Sequence, residues 1–276
     1  MMKSNGRVVL ITGCSSGIGR SLAEAFLDRG DRVVATARNP ETIDDLASEH
    51  CLVHALDVTD GDSIVQATAA AVDWAGRIDV LVNNAGYGLV GPVAELSDED
   101  LRLQLETNVV GVVATIRAVV PHMAARRSGC IVNIGSVSSV LATPYGGAYS
   151  ASKAALHLLT DALRPELAPF GIEVVVVRAG GVATNFPNVA GTGLERYRDP
   201  ASLYHERVAG MEERAAMSKN LAMPADEFAR KVVRAVSKPN PPAVLKLGGG
   251  ARLVPALAML PKKLLARMMG KKFGLS

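Results

Sequence analysis

The chain has 276 residues, 49% hydrophobic and 21% charged, which is enough for one large apolar core and excludes a disordered or fibrous protein. Aromatic residues make up only 4%, which suits helices packed on a sheet better than an all-β sandwich, and three scattered cysteines (Cys14, Cys51, Cys130) cannot form a disulfide framework. The net charge of +3 hides an asymmetry: residues 228–276 carry eleven Lys or Arg and no Asp or Glu, leaving 19 basic and 27 acidic side chains, a formal −8, in the rest.

Free thiols predict a reducing compartment. With no apolar leader in residues 1–6 and no uninterrupted apolar run near the ~18 residues of a membrane span, a cytoplasmic protein is expected. The basic end lacks interleaved aromatics, so nucleic acid is not an expected partner.

In chain order, short β-branched runs alternate with helical patterns. Strands are predicted at residues 7–12, 32–36, 51–56, 79–83, 130–135, 172–178 and 243–247. Between the first two, Ile18, Leu22, Phe26 and Leu27 have helical spacing and Gly30 supplies a stop. Residues 98–126 read as one long helix with Leu101, Leu105 and Val109 on one side, and residues 148–170 as another, interrupted only by Pro165. The alternation predicts a single doubly wound α/β domain with a seven-stranded parallel sheet covered on both faces. Residues 185–219 break the rhythm with Pro, Gly and mixed charge, and are expected to form a small substrate lobe. Residues 252–276 mix Leu253, Leu257, Leu260, Leu264 and Leu265 with Lys262, Lys263 and Arg267, a basic amphipathic segment that could pack on protein or on a membrane surface.

The first strand runs into Thr12-Gly13-Cys14-Ser15-Ser16-Gly17-Ile18-Gly19 and then a helix, where pyrophosphate can sit against free N–H groups at the helix N-terminus. Asn83-Asn84-Ala85-Gly86 closes the fourth strand, Asn108 lies in the next helix, Ser136 follows the fifth strand, and Tyr149-Ser150-Ala151-Ser152-Lys153 puts Tyr149 and Lys153 on one helix face. These motifs, in this order, resemble the short-chain dehydrogenase/reductase family from residue 7 to 247.

The resemblance implies a Rossmann-type fold and a catalytic set of Asn108, Ser136, Tyr149 and Lys153. Tyr149 would be the general acid or base with Lys153 lowering its pKa, Ser136 would bind the substrate oxygen, and Asn108 would hold a water relaying protons to Lys153. Cofactor contacts are expected from Gly13, Ser15, Ser16, Gly17, Ile18, Gly19, Asn84, Ala85, Gly86, Tyr149, Lys153, Val182 and Thr184, with Asp57 and Val58 at the adenine. The second strand ends at Ala37-Arg38, a cation with no carboxylate beside it, which favours NADP(H) over NAD. After the sixth strand the family's usual Pro-Gly is replaced by Ala179-Gly180.

That departure, with residues 131–137 and the ending Lys272-Phe273-Gly274-Leu275, is similar to reductases of 1-acyl-dihydroxyacetone phosphate. The glycine motif and Ala35-Thr36-Ala37-Arg38 also resemble 17β-hydroxysteroid and retinol dehydrogenases. Both imply an apolar or lipid-like substrate, and family members form homodimers or homotetramers. A phosphate-bearing substrate would want a lobe cation, for which Arg178, Arg196, Arg198 and Arg207 are candidates. A catalytically silent NADP-binding sensor is the reading from another class. His50, Cys51 and His54 straddle a strand entry without a fourth ligand, so no metal is expected.

Overall fold

A computed structural model describes residues 6–219 and 222–275, so most of the N-terminal stretch, residues 1–5, lies outside the described residues. The elements run β1 (Val8–Ile11), α1 (Gly17–Asp28), β2 (Arg32–Ala37), β3 (Cys51–Ala55), α2 (Gly61–Ala75), β4 (Val80–Asn83), α3 (Asp98–Leu105), α4 (Gly111–Ala125), β5 (Gly129–Ser136) and α5 (Gly147–Leu167). Then follow β6 (Ile172–Ala179), β7 (Val182–Ala183), α6 (Phe186–Ala190), α7 (Val208–Ala216), β8 (Met223–Pro224), α8 (Ala225–Val236), β9 (Val244–Leu247), α9 (Leu253–Leu257) and α10 (Lys262–Lys272).

Seven strands form one sheet in the order β3-β2-β1-β4-β5-β6-β9, with every neighbouring pair parallel. Because side chains alternate along a strand, each strand feeds two apolar layers. Val9, Ile11, Val33, Ala35 and Val82 face a core closed by Leu22, Phe26, Phe228 and Val232 of α1 and α8. Leu10, Val34, Leu81, Ile131 and Val174 face the opposite core, closed by Ala71, Ile116, Val119, Met123 and Leu156 of α2, α4 and α5. The strand order reverses between β1 and β4, so the carboxyl ends of these two strands open a crevice, the usual ligand position in such sheets.

Two predicted helices differ in detail. The stretch from residue 98 is not one regular helix, because a π-helical turn over Glu106–Val110 separates α3 from α4 and carries Asn108. Such a turn holds one extra residue, and it commonly marks a functional position. By length and composition Asp98–Ala125 could cross a membrane. Here Gly111, Val112, Thr115, Ile116, Val119 and Met123 are buried, the apolar ones among them packing on the sheet. The second helix is not interrupted at Pro165 but runs through it to Leu167, so the missing N–H falls in the last turn. There the neighbouring Arg164 anchors the helix end to the Val174 and Ala243 carbonyls.

Residues 186–219 form short helices with a third apolar cluster of their own, containing Leu194, Tyr197, Val208 and Met211. Phe273, beyond α10, completes it and is fully buried. Where alanine stands in place of proline, Ala179 pairs in register with Ser136 on one side and Leu247 on the other. The following Gly181 exchanges two hydrogen bonds with Gly249, which fixes the loop into β7.

Candidate active site

At the mouth of the crevice the backbone turns on glycines because nothing larger fits. Gly13 has φ 76°, and a Cβ there would lie 2.9 Å from the Ala85 Cα. At Gly19 a Cβ would be 2.1 Å from the Gly13 carbonyl oxygen and 2.4 Å from Asn84 Nδ2. Asn84 Nδ2 donates to the Thr12 and Gly13 carbonyls, and Thr12 Oγ1 accepts from the Asn84 and Ala85 N–H groups, so the β1 and β4 ends brace one another. Ser16 precedes α1 in an extended conformation with no side-chain cap, and the first turn of α1 has no acidic residue. The N–H groups of this helix start therefore face an open position suited to an anion.

Opposite them stand Val182 and Thr184. The Thr184 methyl would lie 3.1 Å from a Cβ at Gly17, and Thr184 also lines a cleft of about 430 Å³ with Val182, Ala183, Lys219 and Ala222. Ile18 packs inward on the core, whereas Ser15, Ser16 and Arg38 are exposed. Asp57 beyond β3 receives hydrogen bonds from the N–H and hydroxyl of Thr59. Burial pushes its carboxyl pKa up, but those bonds and the Arg38 charge prevail and hold it below the usual range. Val58 is buried, and Gly111 admits the start of α4 to its carbonyl, since a Cβ there would lie 2.4 Å away. Cys14, inside the glycine turn, is fully buried with its thiol pushed up to about 12 by burial, so it is not a nucleophile.

At the carboxyl end of β5, Ser136 faces the phenol of Tyr149 on α5. Burial raises the Tyr149 pKa, against the lowering effects of the Ser136 hydroxyl and the Arg214 charge. Lys153, one turn on, is buried, and its Nζ donates to the Ile134 carbonyl at 3.0 Å. Desolvation lowers it to about 8.

Lys153 Nζ stands 5.9 Å from the Tyr149 ring centre while donating to the Ile134 carbonyl, and the buried Arg214 adds a second positive charge that lowers the Tyr149 pKa. The Asn108 amide is already committed: Nδ2 donates to the Tyr87 carbonyl and to Ser152 Oγ, each at 3.0 Å, and Oδ1 accepts from the Tyr87 N–H at 3.1 Å. Gly86 makes room for this, because a Cβ there would lie 2.8 Å from Oδ1 and 3.7 Å from Lys153 Nζ.

Of the four arginines expected to meet an anion, two are held by carboxylates. Arg196 pairs with Asp100, and Arg198 with Glu195 and Glu212. Arg207 is exposed, and Arg178 lies on β6. The sequence reading passed over Arg214 of α7, which is 6% exposed. Its signal was weak, since a single arginine in a mixed-charge helix looks like any solvated cation. Phe186 was also missed; its ring lies 5.5 Å from that of Tyr149 and supplies an apolar wall. Among the described residues no group of three or more His, Cys, Asp or Glu could hold a metal ion.

A family model described as short chain dehydrogenase matches residues 7–192. The chain belongs to the short-chain dehydrogenase/reductase family. It is 35% identical over 246 residues to the 3-ketodihydrosphingosine reductase of Bacteroides thetaiotaomicron, with 88% of each chain covered. It is 37% identical over 227 residues to the NADPH-dependent 1-acyldihydroxyacetone phosphate reductase of Schizosaccharomyces pombe, covering 81% of this chain and 76% of that one. The crystal structure of a short-chain dehydrogenase from Streptomyces avermitilis superposes with a TM-score of 0.81 at 33% identity, covering 98% and 97% of the two chains. As a short-chain dehydrogenase/reductase, the protein is an oxidoreductase of CH–OH groups that works with a nicotinamide cofactor. The glycine cradle and the uncapped α1 fit such a group.

Proposed function

We propose that this enzyme is an NADPH-dependent reductase that interconverts a ketone and a secondary alcohol on an apolar or lipid-like substrate. The observation that carries the reading is the Ser136 hydroxyl set against the Tyr149 phenol, with Lys153 on the same helix face, beside the glycine cradle. When bound, the nicotinamide cofactor supplies the hydride.

The chain's own groups do the rest. Ser136 hydrogen-bonds the substrate oxygen and places it at the phenol. Tyr149, whose pKa is raised, keeps its proton at neutral pH and donates it to the developing alkoxide. Lys153 holds a positive charge beside the phenol and, with Tyr149, reaches the nicotinamide ribose. Asn108 braces the Gly86–Tyr87 backbone that forms the floor of the site, and Phe186 excludes water from it.

The helix start with Gly13, Ser15, Ser16, Gly17, Ile18 and Gly19 takes the pyrophosphate, together with Thr184. Val182 meets the nicotinamide carboxamide, and Asp57 and Val58 meet the adenine. Asn84, Ala85 and Gly86 line the ribose side. NADPH is favoured over NADH because exposed Arg38 and the Ser15 and Ser16 hydroxyls have no carboxylate at Ala37 to oppose a 2′-phosphate. The relatives support a lipid-like substrate, since one is a 3-ketodihydrosphingosine reductase and another an NADPH-dependent 1-acyldihydroxyacetone phosphate reductase.

The test is consumption of NADPH and of NADH with a 1-acyl-dihydroxyacetone phosphate, a 3-keto sphingoid base, a 17-ketosteroid and retinal. NADPH-dependent turnover of a lipid ketone that Tyr149→Phe abolishes is expected. Turnover of none of them, with NADPH still bound, would favour a silent sensor. Arg38→Ala should weaken NADPH by about 10- to 100-fold, as loss of charged hydrogen bonds does, and leave NADH little changed.

We also propose a homo-oligomer formed through the two long helices. Leu101, Leu103, Val110 and Val113 on one, and Leu158 and Leu159 on the other, are exposed. Charged substitutions at Val113 and Leu158 should lower the solution mass. For α9 and α10 the proposed contact is an anionic membrane surface, since Leu253, Met259, Leu264 and Met268 are exposed among uncompensated Lys and Arg. Deleting residues 252–276 should then abolish binding to phosphatidylserine vesicles.

A further inference from the structure

Arg214 is a buried cation without a counter-charge. It comes from α7 of the lobe, and its Nε donates to Thr143 Oγ1 at 2.5 Å, in the loop before α5. Among the described residues no carboxylate pairs with it, and its side-chain hydrogen bond goes to the neutral Thr143 hydroxyl. Arg196 and Arg198 in the same lobe each hold a carboxylate, whereas Arg214, far more buried than either, holds none.

Its position makes the missing anion more costly. The guanidinium lies over Gly146, the residue at the start of α5, where a Cβ would be 2.6 Å from Nε and 2.7 Å from Nη2. A helix start carries partial positive charge, so a cation there is repelled as well as desolvated. Burial lowers the pKa of Arg214, and the Tyr149 phenol is the group that counters this. The phenol keeps its proton at neutral pH, so among the described residues Arg214 faces the reacting centre with no anionic partner.

We propose that Arg214 is the substrate's anion-binding residue, and that the ketone reduced here carries a phosphate or carboxylate close to its carbonyl. This deepens the reductase reading and rests on it. Gly146 and Tyr149 lie in the first turn of α5, and the Arg214 charge acts on the Tyr149 phenol, so an anion held by Arg214 adjoins the reacting oxygen. The planar guanidinium matches phosphate or carboxylate with two parallel hydrogen bonds, and α5's positive end adds to the attraction. Gly146 leaves the guanidinium its place, since a Cβ there would displace it. A substrate with an ammonium in this position is repelled, which separates a lipid ketone phosphate from an amino ketone.

Two measurements test this. In the first, kcat/KM is compared for a keto acid or ketone phosphate and its neutral methyl ester, in the wild type, Arg214→Lys and Arg214→Gln. The wild type should prefer the anion, and Arg214→Gln should cut that preference by about 30- to 1,000-fold, as loss of a buried charged partner does. Arg214→Lys should retain part of it. A wild type that turns over anion and ester alike overturns the proposal, as does an Arg214→Gln protein that keeps the preference. Equal slowing of both substrates would instead make Arg214 a positioning residue for Tyr149.

In the second, inorganic phosphate is titrated into NADPH-saturated Tyr149→Phe protein, with and without Arg214→Gln, by calorimetry. Arg214-dependent phosphate binding without turnover of any ketone in the wild type would sink the reductase reading and keep the anion site. Turnover of neutral ketones, with neither anion preference nor phosphate binding, would do the reverse. The carboxylate and phosphate arms tell the two anion types apart.

Discussion

Asn108 Nδ2 donates to Ser152 Oγ at 3.0 Å, and Ser152 Oγ in turn donates to the Tyr149 carbonyl, so the π turn is tied to α5 between Tyr149 and Lys153. Both groups are fully buried. Asn108→Ala would strand the Tyr87 N–H, while the Tyr87 carbonyl keeps Gln104 Nε2 and Ser152 Oγ keeps the Tyr149 carbonyl. It should cost about 2–3 kcal/mol in urea unfolding, from one buried donor left unpaired and the bond to Ser152 lost, and remove most turnover. Ser152→Ala deletes one partner only and should cost about 1–2 kcal/mol with measurable activity retained. Equal effects of the two would show that Asn108 does not act through the loop.

Two glycines make a contrast of steric cause. Gly19→Ala puts a methyl 2.1 Å from the Gly13 oxygen, against backbone that cannot move without opening the β1–α1 turn. NADPH binding, followed by nicotinamide fluorescence, should be lost, with about 1–3 kcal/mol of stability from overpacking. Gly30 has φ 86° but nothing within 4 Å of a Cβ. Gly30→Ala should cost about 1–2 kcal/mol of left-handed strain and leave NADPH affinity intact. If both lost NADPH, the effect would be global destabilisation rather than a filled cradle.

The sheet was legible in the sequence because its signals are local. Seven apolar runs with turn residues after them predicted all seven strands to within about two residues, and the glycine turn placed the crevice. The π turn at Glu106–Val110 was not legible, because an extra residue in a helix leaves the apolar spacing nearly unchanged. Arg214 was missed for a related reason. Its meaning comes from Thr143 and Gly146, some 70 residues away, and no spacing rule reaches across such a gap. Arg196 and Arg198 of the lobe were no different from it in sequence; packing alone gives them carboxylates and buries Arg214 without one.

His157 gives a pH signature. It is buried on α5, with Nδ1 at 3.1 Å from Ser139 Oγ. Burial, then the charges of Arg178 and Lys153, lower its pKa from 6.5 to about 4. The native state therefore keeps His157 neutral where the unfolded chain takes up a proton. Its contribution is fully present above about pH 6.5 and is lost as pH falls through 4, up to about 3 kcal/mol in all. His157→Gln should flatten the stability curve across that interval in urea unfolding. An unchanged slope would assign acid sensitivity to other groups.

The last prediction concerns the chain's end. Phe273 is fully buried in the lobe's cluster with Tyr145, Val208 and Met211, and Gly210 admits its carbonyl, since a Cβ there would lie 2.2 Å from that oxygen. Phe273→Ala should remove about 3–5 kcal/mol, the usual cost of emptying a phenylalanine site. The cluster is separate from the two layers that hold the sheet, so the loss should be local. Limited proteolysis should cut faster within residues 186–219, and KM for the ketone should rise because α7 carries Arg214. NADPH affinity should hold, since the glycine cradle lies on β1 and α1. A parallel fall in NADPH affinity would mean instead that α10 supports the whole domain rather than the lobe.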